Sequence, residues 1–292
     1  MAHAPIRFRK MNGLGNTFAV FDGRAAPVVL APAAIRALGE DGAIGFDQMI
    51  TLEPSTGADV FMRIHNKDGG EVDACGNATR CIAWLMMGES GRGETAIETN
   101  AGLLRAFDTG IPEMVAVDMG EPRFGWREIP LSRPFEDTRE IDLSFGPVDA
   151  PILSGPAVVS MGNPHAIFFV DDVDAIDLGR IGPILERHPL FPERANISIA
   201  HVTGRDAITL RTWERGAGLT RACGTGACAA AVAAMRRGLT DRAVTVTLPG
   251  GPLRIEWRDD NHVIMTGAIE AEFEGTVDPE TLALSVTARG AA

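Results

Sequence analysis

The sequence contains no tyrosine and only two lysines, Lys10 and Lys67. Both lysines are expected in loops beside sequence motifs, so chemistry built on a lysine Schiff base has little support. No apolar run approaches the roughly 18 residues needed to span a membrane. The opening MAHAPIRFRKMNGLG lacks the apolar core of a signal peptide, which predicts a cytoplasmic protein. Positive charge is also scarce. The net charge is −12 and the pI about 5.0, so nucleic acid and acidic membrane surfaces would be repelled, whereas a small zwitterion would not. There are four cysteines, expected as reduced thiols rather than a disulfide framework. Five residues separate Cys75 from Cys81 and four separate Cys223 from Cys228, not the two-residue gap of zinc knuckles, and no metal is expected.

What is present is ordinary for a soluble globular chain: 292 residues, 45% hydrophobic and 23% charged, with 33 Gly and 18 Pro. The length is about twice that of a typical domain, and the sequence is written twice. The stretch from Arg63 to Cys75-Gly76 recurs from Arg211 to Cys223-Gly224, with Arg, Gly, Ala, Cys and Gly in register at a step of 148 (223 − 75). Gly15-Asn16-Thr17-Phe18 answers Gly162-Asn163-Pro164-His165 at a step of 147 (163 − 16). Two related halves, each with one matched Cys, predict a site flanked by two thiols.

Each matched Cys follows an alternating segment and a Gly-containing polar loop, and opens an apolar run of helical length. The strands are predicted at residues 59–65 and 207–213. The helices run from Cys75 to Gly88 and from Cys223 to Gly238, with Arg236 and Arg237 suiting the negative end of the second. Further strands are predicted at residues 18–21, 103–107, 115–118, 166–170, 244–248, 253–257 and 263–265, and further helices at 32–38 and 181–188. Strands outnumber helices, which predicts an α+β protein of two pseudo-symmetric domains. The Pro- and Gly-rich stretch 120–130 reads as the connection, with the domains at 1–121 and 122–276.

A helix N-terminus lowers a thiol pKa from about 8.5, because unsatisfied backbone N–H groups stabilise the thiolate. One such Cys is more often packing than chemistry, but a matched pair points to a two-base reaction. One thiolate removes a proton from a carbon acid and a thiol returns one to the opposite face, giving racemisation or epimerisation. The N–H groups of Gly76, Asn77, Gly224 and Thr225 would stabilise the charge that grows on the substrate carboxylate, replacing an electron-sink cofactor. No cofactor is implied. Cys81 and Cys228 lack a matched offset and are assigned to the core. The duplication breaks at Phe18, whose counterpart is His165, and at Asn66, whose counterpart is Glu214. Two thiols that must hold different protonation states need different neighbours, and His165 and Glu214 supply them.

At these residues the chain resembles the diaminopimelate epimerases. The resemblance rests on five blocks in order: KMNGLGN (10–16), RIHNKDGGEVDACGNATRC (63–81), MGNPH (161–165), FPERANIS (191–198) and WERGAGLTRACGTGACA (213–229). It implies a cofactor-independent isomerase that converts LL-2,6-diaminopimelate to the meso form, in lysine and peptidoglycan-precursor biosynthesis. It implies catalytic thiols at Cys75 and Cys223, with His165 assisting Cys75 and Glu214 assisting Cys223. Its substrate contacts fall on Asn16, Gln48, Asn66, Gly76, Asn77, Asn163, Asn196, Glu214, Arg215, Gly224 and Thr225. It further implies a barrel-like sheet around a central helix in each domain, a return of residues 277–292 to the first domain, and a homodimer. The chain departs from the common pattern in reading CGNATRC for CGNGARC and in carrying Thr17 where an acid is frequent. Lacking tyrosine, it must make any phenol-mediated dimer contact otherwise.

Other readings share parts of this evidence. A proline racemase, hydroxyproline epimerase or dehydratase would use the same two-thiol logic, although proline-type enzymes place His where this chain has Asn77. Gly224-Thr-Gly226-Ala-Cys-Ala229 formally fits a dinucleotide fingerprint, but a polar loop rather than a buried strand precedes it. A functional disulfide between Cys75 and Cys223 would make the protein a thiol redox device.

Overall fold

The computed structural model describes residues 4–289. They form two compact units, residues 4–117 with 267–289, and residues 118–266. In the first unit, strand Asn16–Asp22 runs parallel to Gln48–Glu53, and helix Pro32–Gly39 provides the crossover that a parallel step requires. Gln48–Glu53 then pairs antiparallel with Val60–Asn66. That strand lies parallel to Glu94–Thr99, with helix Gly76–Ser90 as the second crossover, and a hairpin to Gly102–Asp108 follows. Strand Ile6–Gly13 joins Asn16–Asp22 on one side and Glu270–Val277 on the other, both antiparallel.

The second unit repeats the same path. Pro164–Phe169 is parallel to Asn196–Gly204 across helix Leu178–Glu186. Asn196–Gly204 is antiparallel to Ala207–Glu214, which lies parallel to Ala243–Leu248 across helix Gly224–Arg236. A hairpin to Gly251–Trp257 completes the copy. The duplication read from a few motif residues thus extends through the order and direction of the strands. This is the expected α+β architecture, a β-rich wrap around one central helix in each unit.

Both central helices begin where the matched cysteines stand, because Cys75 (φ −147°, ψ 111°) and Cys223 (φ −117°, ψ 105°) are extended N-cap residues. The first helix runs past the expected stop at Gly88 and ends at Ser90, where Gly91 turns left-handed at φ 69° and its N–H closes on the Met87 carbonyl. The second ends at Arg236, and Gly238 makes the left-handed exit at φ 70°. Its buried run, Gly226 through Ala234, carries nothing larger than Val232 and Cys228. The strands of 157–160, 164–169, 196–204, 207–214, 243–248 and 251–257 can therefore close around it.

Several expectations need revision. The stretch 120–130 is not a free connection, since Ile129 is buried in the second core with Trp126 packed against it; its Pro and Gly content masked those apolar anchors. The units change over at Val117/Asp118 and at Thr266/Gly267, so residues 267–276 belong with the first unit, where Glu270–Val277 pairs with Ile6–Gly13. Of the expected returning segment 277–292, residues 290–292 lie outside the described ones. Lys10 lies within strand Ile6–Gly13 rather than in a loop, 5% exposed, with its ammonium on the Gly45 carbonyl. Cys81 and Cys228 are fully buried, as assigned, and desolvation pushes the Cys81 thiol up to about 12. Among the described residues, no helix is long and apolar enough to cross a membrane.

Candidate active site

In the first unit, Phe18 pairs with Gln48 and Gln48 with Asn66, so the three side chains form one row across adjacent strands. Gln48 Nε2 donates to Asn66 Oδ1 at 3.0 Å. Cys75 is half-buried, and its thiol donates to Asn16 Oδ1 at 3.6 Å. Asn16 is oriented in turn by Asp47, whose Oδ2 accepts from Asn16 Nδ2 at 3.3 Å, Thr17 N at 2.8 Å and Thr17 Oγ1 at 3.0 Å. The threonine that departs from the common pattern is thus a donor to Asp47, which an acid at that position could not be. Gly76 and Asn77 open the central helix, and buried Asn77 accepts from Arg80 Nη2 at 3.0 Å. Gly13 packs on this helix end, where an added Cβ would lie 3.1 Å from the Asn77 carbonyl oxygen.

The equivalent row of the second unit is His165 paired with Asn196, with Glu214 one step beyond the Ile197–Trp213 pair. Here the row is polar throughout. Asn196 Nδ2 donates to the Pro164 carbonyl at 3.2 Å and lies 3.5 Å from His165 Nε2, while its Oδ1 accepts from Arg215 N at 2.8 Å. His165 Nε2 meets Asn163 Oδ1 at 2.8 Å, and Asn163 Nδ2 donates to Thr225 Oγ1 at 3.4 Å. Thr225 Oγ1 stands 3.7 Å from Cys223 Sγ. A continuous polar path therefore joins His165 to Cys223 through Asn163 and Thr225. The Asn163 carbonyl assigns the proton of the neutral imidazole to Nε2, which leaves the buried Nδ1 lone pair without a partner.

The electrostatics of the two halves of this path differ. Burial, reinforced by nearby Arg215, pushes the His165 pKa down to about 3, so the ring is neutral at ordinary pH. Cys223 is 3% exposed. Burial, together with the charge of Glu214 and a hydrogen bond to it, raises its thiol pKa well above the ordinary value, against lowering by the Gly226 N–H and the Thr225 hydroxyl. The expectation of a depressed pKa at both helix ends is therefore corrected at Cys223, where desolvation and a neighbouring carboxylate outweigh the helix N–H groups. Glu214 is itself held by Thr220 Oγ1 at 2.5 Å, and Arg215 Nη1 donates to the Glu193 carbonyl at 3.0 Å. Gly224 and Thr225 open the second central helix. A Cβ added at Gly226 would crowd the thiol, lying 3.1 Å from both Cys223 Sγ and Thr212 Oγ1.

A neutral buried histidine leaves a pH signature. The folded pKa of about 3 lies below the ordinary 6.5. The unfolded chain takes up this proton as pH falls through about 6.5 and the native state does not, so the contribution is whole above pH 6.5 and is lost progressively toward pH 3. The slope approaches about 1.4 kcal/mol per pH unit. His165→Gln should unfold in urea with a shallower loss of stability between about pH 6.5 and 4 than the unsubstituted protein; parallel curves would contradict the assignment.

The family model described as "Diaminopimelate epimerase" matches residues 8–125 and 157–271. The chain belongs to the diaminopimelate epimerase family. It is 55% identical over 287 residues to the diaminopimelate epimerase of Rhodopseudomonas palustris (strain TIE-1), covering 97% of each chain. Among solved structures it is similar to a PhzF-family phenazine biosynthesis protein of Bacillus anthracis, with a TM-score of 0.64 and 17% identity over 94% of this chain and 99% of that one. It is also similar to a hydroxyproline epimerase of Agrobacterium vitis, with a TM-score of 0.65 and 15% identity over 95% and 94%. Likeness at that identity establishes the shared fold alone.

The family motifs led to residues that touch one another within each unit, but not to those that hold them. Asp47, Thr212 and Glu186 lie outside the five family blocks. Asp47 is visible only as the residue before Gln48, and Glu186 only as an acid at the end of an amphipathic helix. Their importance comes from hydrogen bonds across 30 residues to Thr17 and 27 residues to Trp213, a spacing that no local pattern reports.

Proposed function

We propose that this protein is a cofactor-independent isomerase that interconverts LL- and meso-diaminopimelate by a two-base mechanism using Cys75 and Cys223. The observation that carries this reading is the pair of N-cap thiols on duplicated scaffolds with unlike neighbours, in a chain so similar to a diaminopimelate epimerase. An epimerase must begin with one thiol poised to accept a proton and the other holding one. Cys223, kept protonated by burial and Glu214, suits the donor. Cys75 is assigned as the base, with His165 assisting it as the family resemblance implies. In the reverse direction Glu214 takes the Cys223 proton and the roles exchange.

The N–H groups of Gly76, Asn77, Gly224 and Thr225 at the two helix ends bind the α-carboxylate and the charge that develops on it. The distal end of the substrate is a second amino acid, which calls for groups that both donate and accept. Asn16, Gln48, Asn66, Asn163 and Asn196 are assigned to it, with Arg215 gripping a carboxylate. A cytoplasmic homodimer completes the reading, and sedimentation equilibrium would test the dimer.

The test of function is incubation of the reduced protein with LL-diaminopimelate in deuterated water. Meso product carrying deuterium at one α-carbon is expected. Reduced, folded protein that neither exchanges nor isomerises would overturn the substrate, and proline and hydroxyproline would be offered next.

A further inference from the structure

Glu214 opens a tight turn in which Gly216 (φ 76°) and Gly218 (φ 89°) are left-handed. The next three amides are all engaged. Arg215 N–H donates to Asn196 Oδ1 at 2.8 Å, Gly216 N–H to Glu186 Oε1 at 3.2 Å, and Ala217 N–H to the Glu214 carbonyl at 3.1 Å. On the other side of Glu214, the Trp213 indole N–H donates to Glu186 Oε2 at 2.7 Å. The two oxygens of one carboxylate thus hold the residue before Glu214 and the second residue after it.

Glu186 is an unfavourable place for an acid unless it has this task. It is 3% exposed and ends helix Leu178–Glu186, so it faces the negative end of the helix dipole and is desolvated. Its cationic neighbour, Arg194, is 3.7 Å away and half exposed. One duplication step earlier (186 − 148 = 38) stands buried Leu38, near the end of helix Pro32–Gly39. There no buried acid holds the matching turn: Lys67 N–H donates to the Asp47 carbonyl at 2.9 Å, Gly69 N–H to the Asn66 carbonyl at 2.8 Å, and Arg36 Nη1 to the Asp68 carbonyl at 2.9 Å. The buried acid occurs in the half where Asn66 is replaced by Glu214.

We propose that Glu186 is a positioning residue for Glu214 and Arg215: by fixing Trp213 and Gly216 it holds the Glu214 carboxylate at the Cys223 thiol. The catalytic consequence rests on the proposed epimerase function, whereas the placement of Glu214 can be read without substrate. Glu186→Gln keeps the size but offers one acceptor oxygen to two N–H groups, and sets an amide donor against the other.

In a Cys75→Ala background, the pH dependence of Cys223 alkylation by iodoacetamide, located by peptide mapping, reads the contact with Glu214. Glu186→Gln should lower its midpoint by about half a pH unit or more, with the thermal transition retained. Trp213→Phe removes one of the two N–H groups and should give a smaller shift. The double substitution should match Trp213→Phe alone, because the single amide oxygen then serves Gly216. With both thiols present, kcat on LL-diaminopimelate should fall about tenfold or more in Glu186→Gln and recover several-fold when Trp213→Phe is added. An unmoved Cys223 midpoint overturns the positioning role, as do effects of the two substitutions that simply add. Should Glu186→Gln not fold, a Trp213→Phe midpoint equal to that of the parent overturns it instead. A shifted midpoint in a protein that never epimerises diaminopimelate would support the role of Glu186 and defeat the proposed function.

Discussion

Cys75→Ala and Cys223→Ala are each expected to lower the rate of diaminopimelate epimerisation by about a thousandfold or more, and the doubly substituted protein should be no worse than either alone. A general acid or base contributes on the order of a hundred- to ten-thousandfold. In the proposed two-base reaction each turnover needs both, one group to take the α-proton and one to supply its replacement. Groups that act as a unit lose nearly all their effect when the first is removed, so the second substitution has little left to remove. The measurement is meso product formation and α-deuterium content, made on variants whose thermal transitions match that of the parent. Either single variant retaining more than about one per cent of the parent rate would exclude a two-thiol mechanism. Cys228→Ala provides the contrast. It deletes a fully buried sulfur in the same helix as the Cys223 cap, so its effect should fall on stability and leave kcat near that of the parent.

The second large effect is on stability. Gly182 lies in helix Leu178–Glu186 with the Trp213 ring against it, and an added Cβ would fall 2.5 Å from Cγ and 2.6 Å from Cδ2 of the indole. The ring cannot retreat easily, because its N–H is tied to Glu186. Gly182→Ala should therefore destabilise the protein by about 3 kcal/mol, the upper range for an overpacked core. It should also depress activity, since Trp213 adjoins Glu214. Gly88→Ala is the control with opposite sign: the site is helical with nothing within 4 Å of an added Cβ, and a gain of about 0.5–1 kcal/mol is expected. Urea unfolding of the two variants measures both, and a Gly182→Ala midpoint equal to the parent's would show that the ring is not confined.

How much of this could be read beforehand follows from the range of the forces involved. The central helices were legible because an N-cap, a Gly exit and an apolar run are local signals. Strand Val60–Asn66 was legible because its side chains alternate between buried and part-exposed. Strand Gln48–Glu53 was not, since four successive residues in it are buried and a central strand covered on both faces loses its period of two. Strand Glu270–Val277 was missed for the opposite reason: its three Glu, one Ala and one Gly suggest no strand, and its pairing with Ile6–Gly13 is known only across the whole chain. In the candidate site, the duplicated Cys-Gly and the His165 and Glu214 substitutions were visible as sequence asymmetry. The raised pKa of Cys223 was not, because a helix end is a local feature while desolvation is a property of everything packed around it.

The second central helix has almost no side chains to rearrange. From Ala229 to Ala231, and again at Ala233 and Ala234, the contact surface is the main chain and its methyl groups. A rod of this kind has one seating. Along its alanine run it has no rotamers to exchange and no long side chain to slide past a neighbour. The backbone of Cys223 stands at the head of that rod, and its buried thiol is held from there. In the proposed mechanism, a donor at the head of such a helix leaves the alignment to whatever approaches it, which makes substrate shape, rather than adjustment of the helix, the selective element on this side of the reaction.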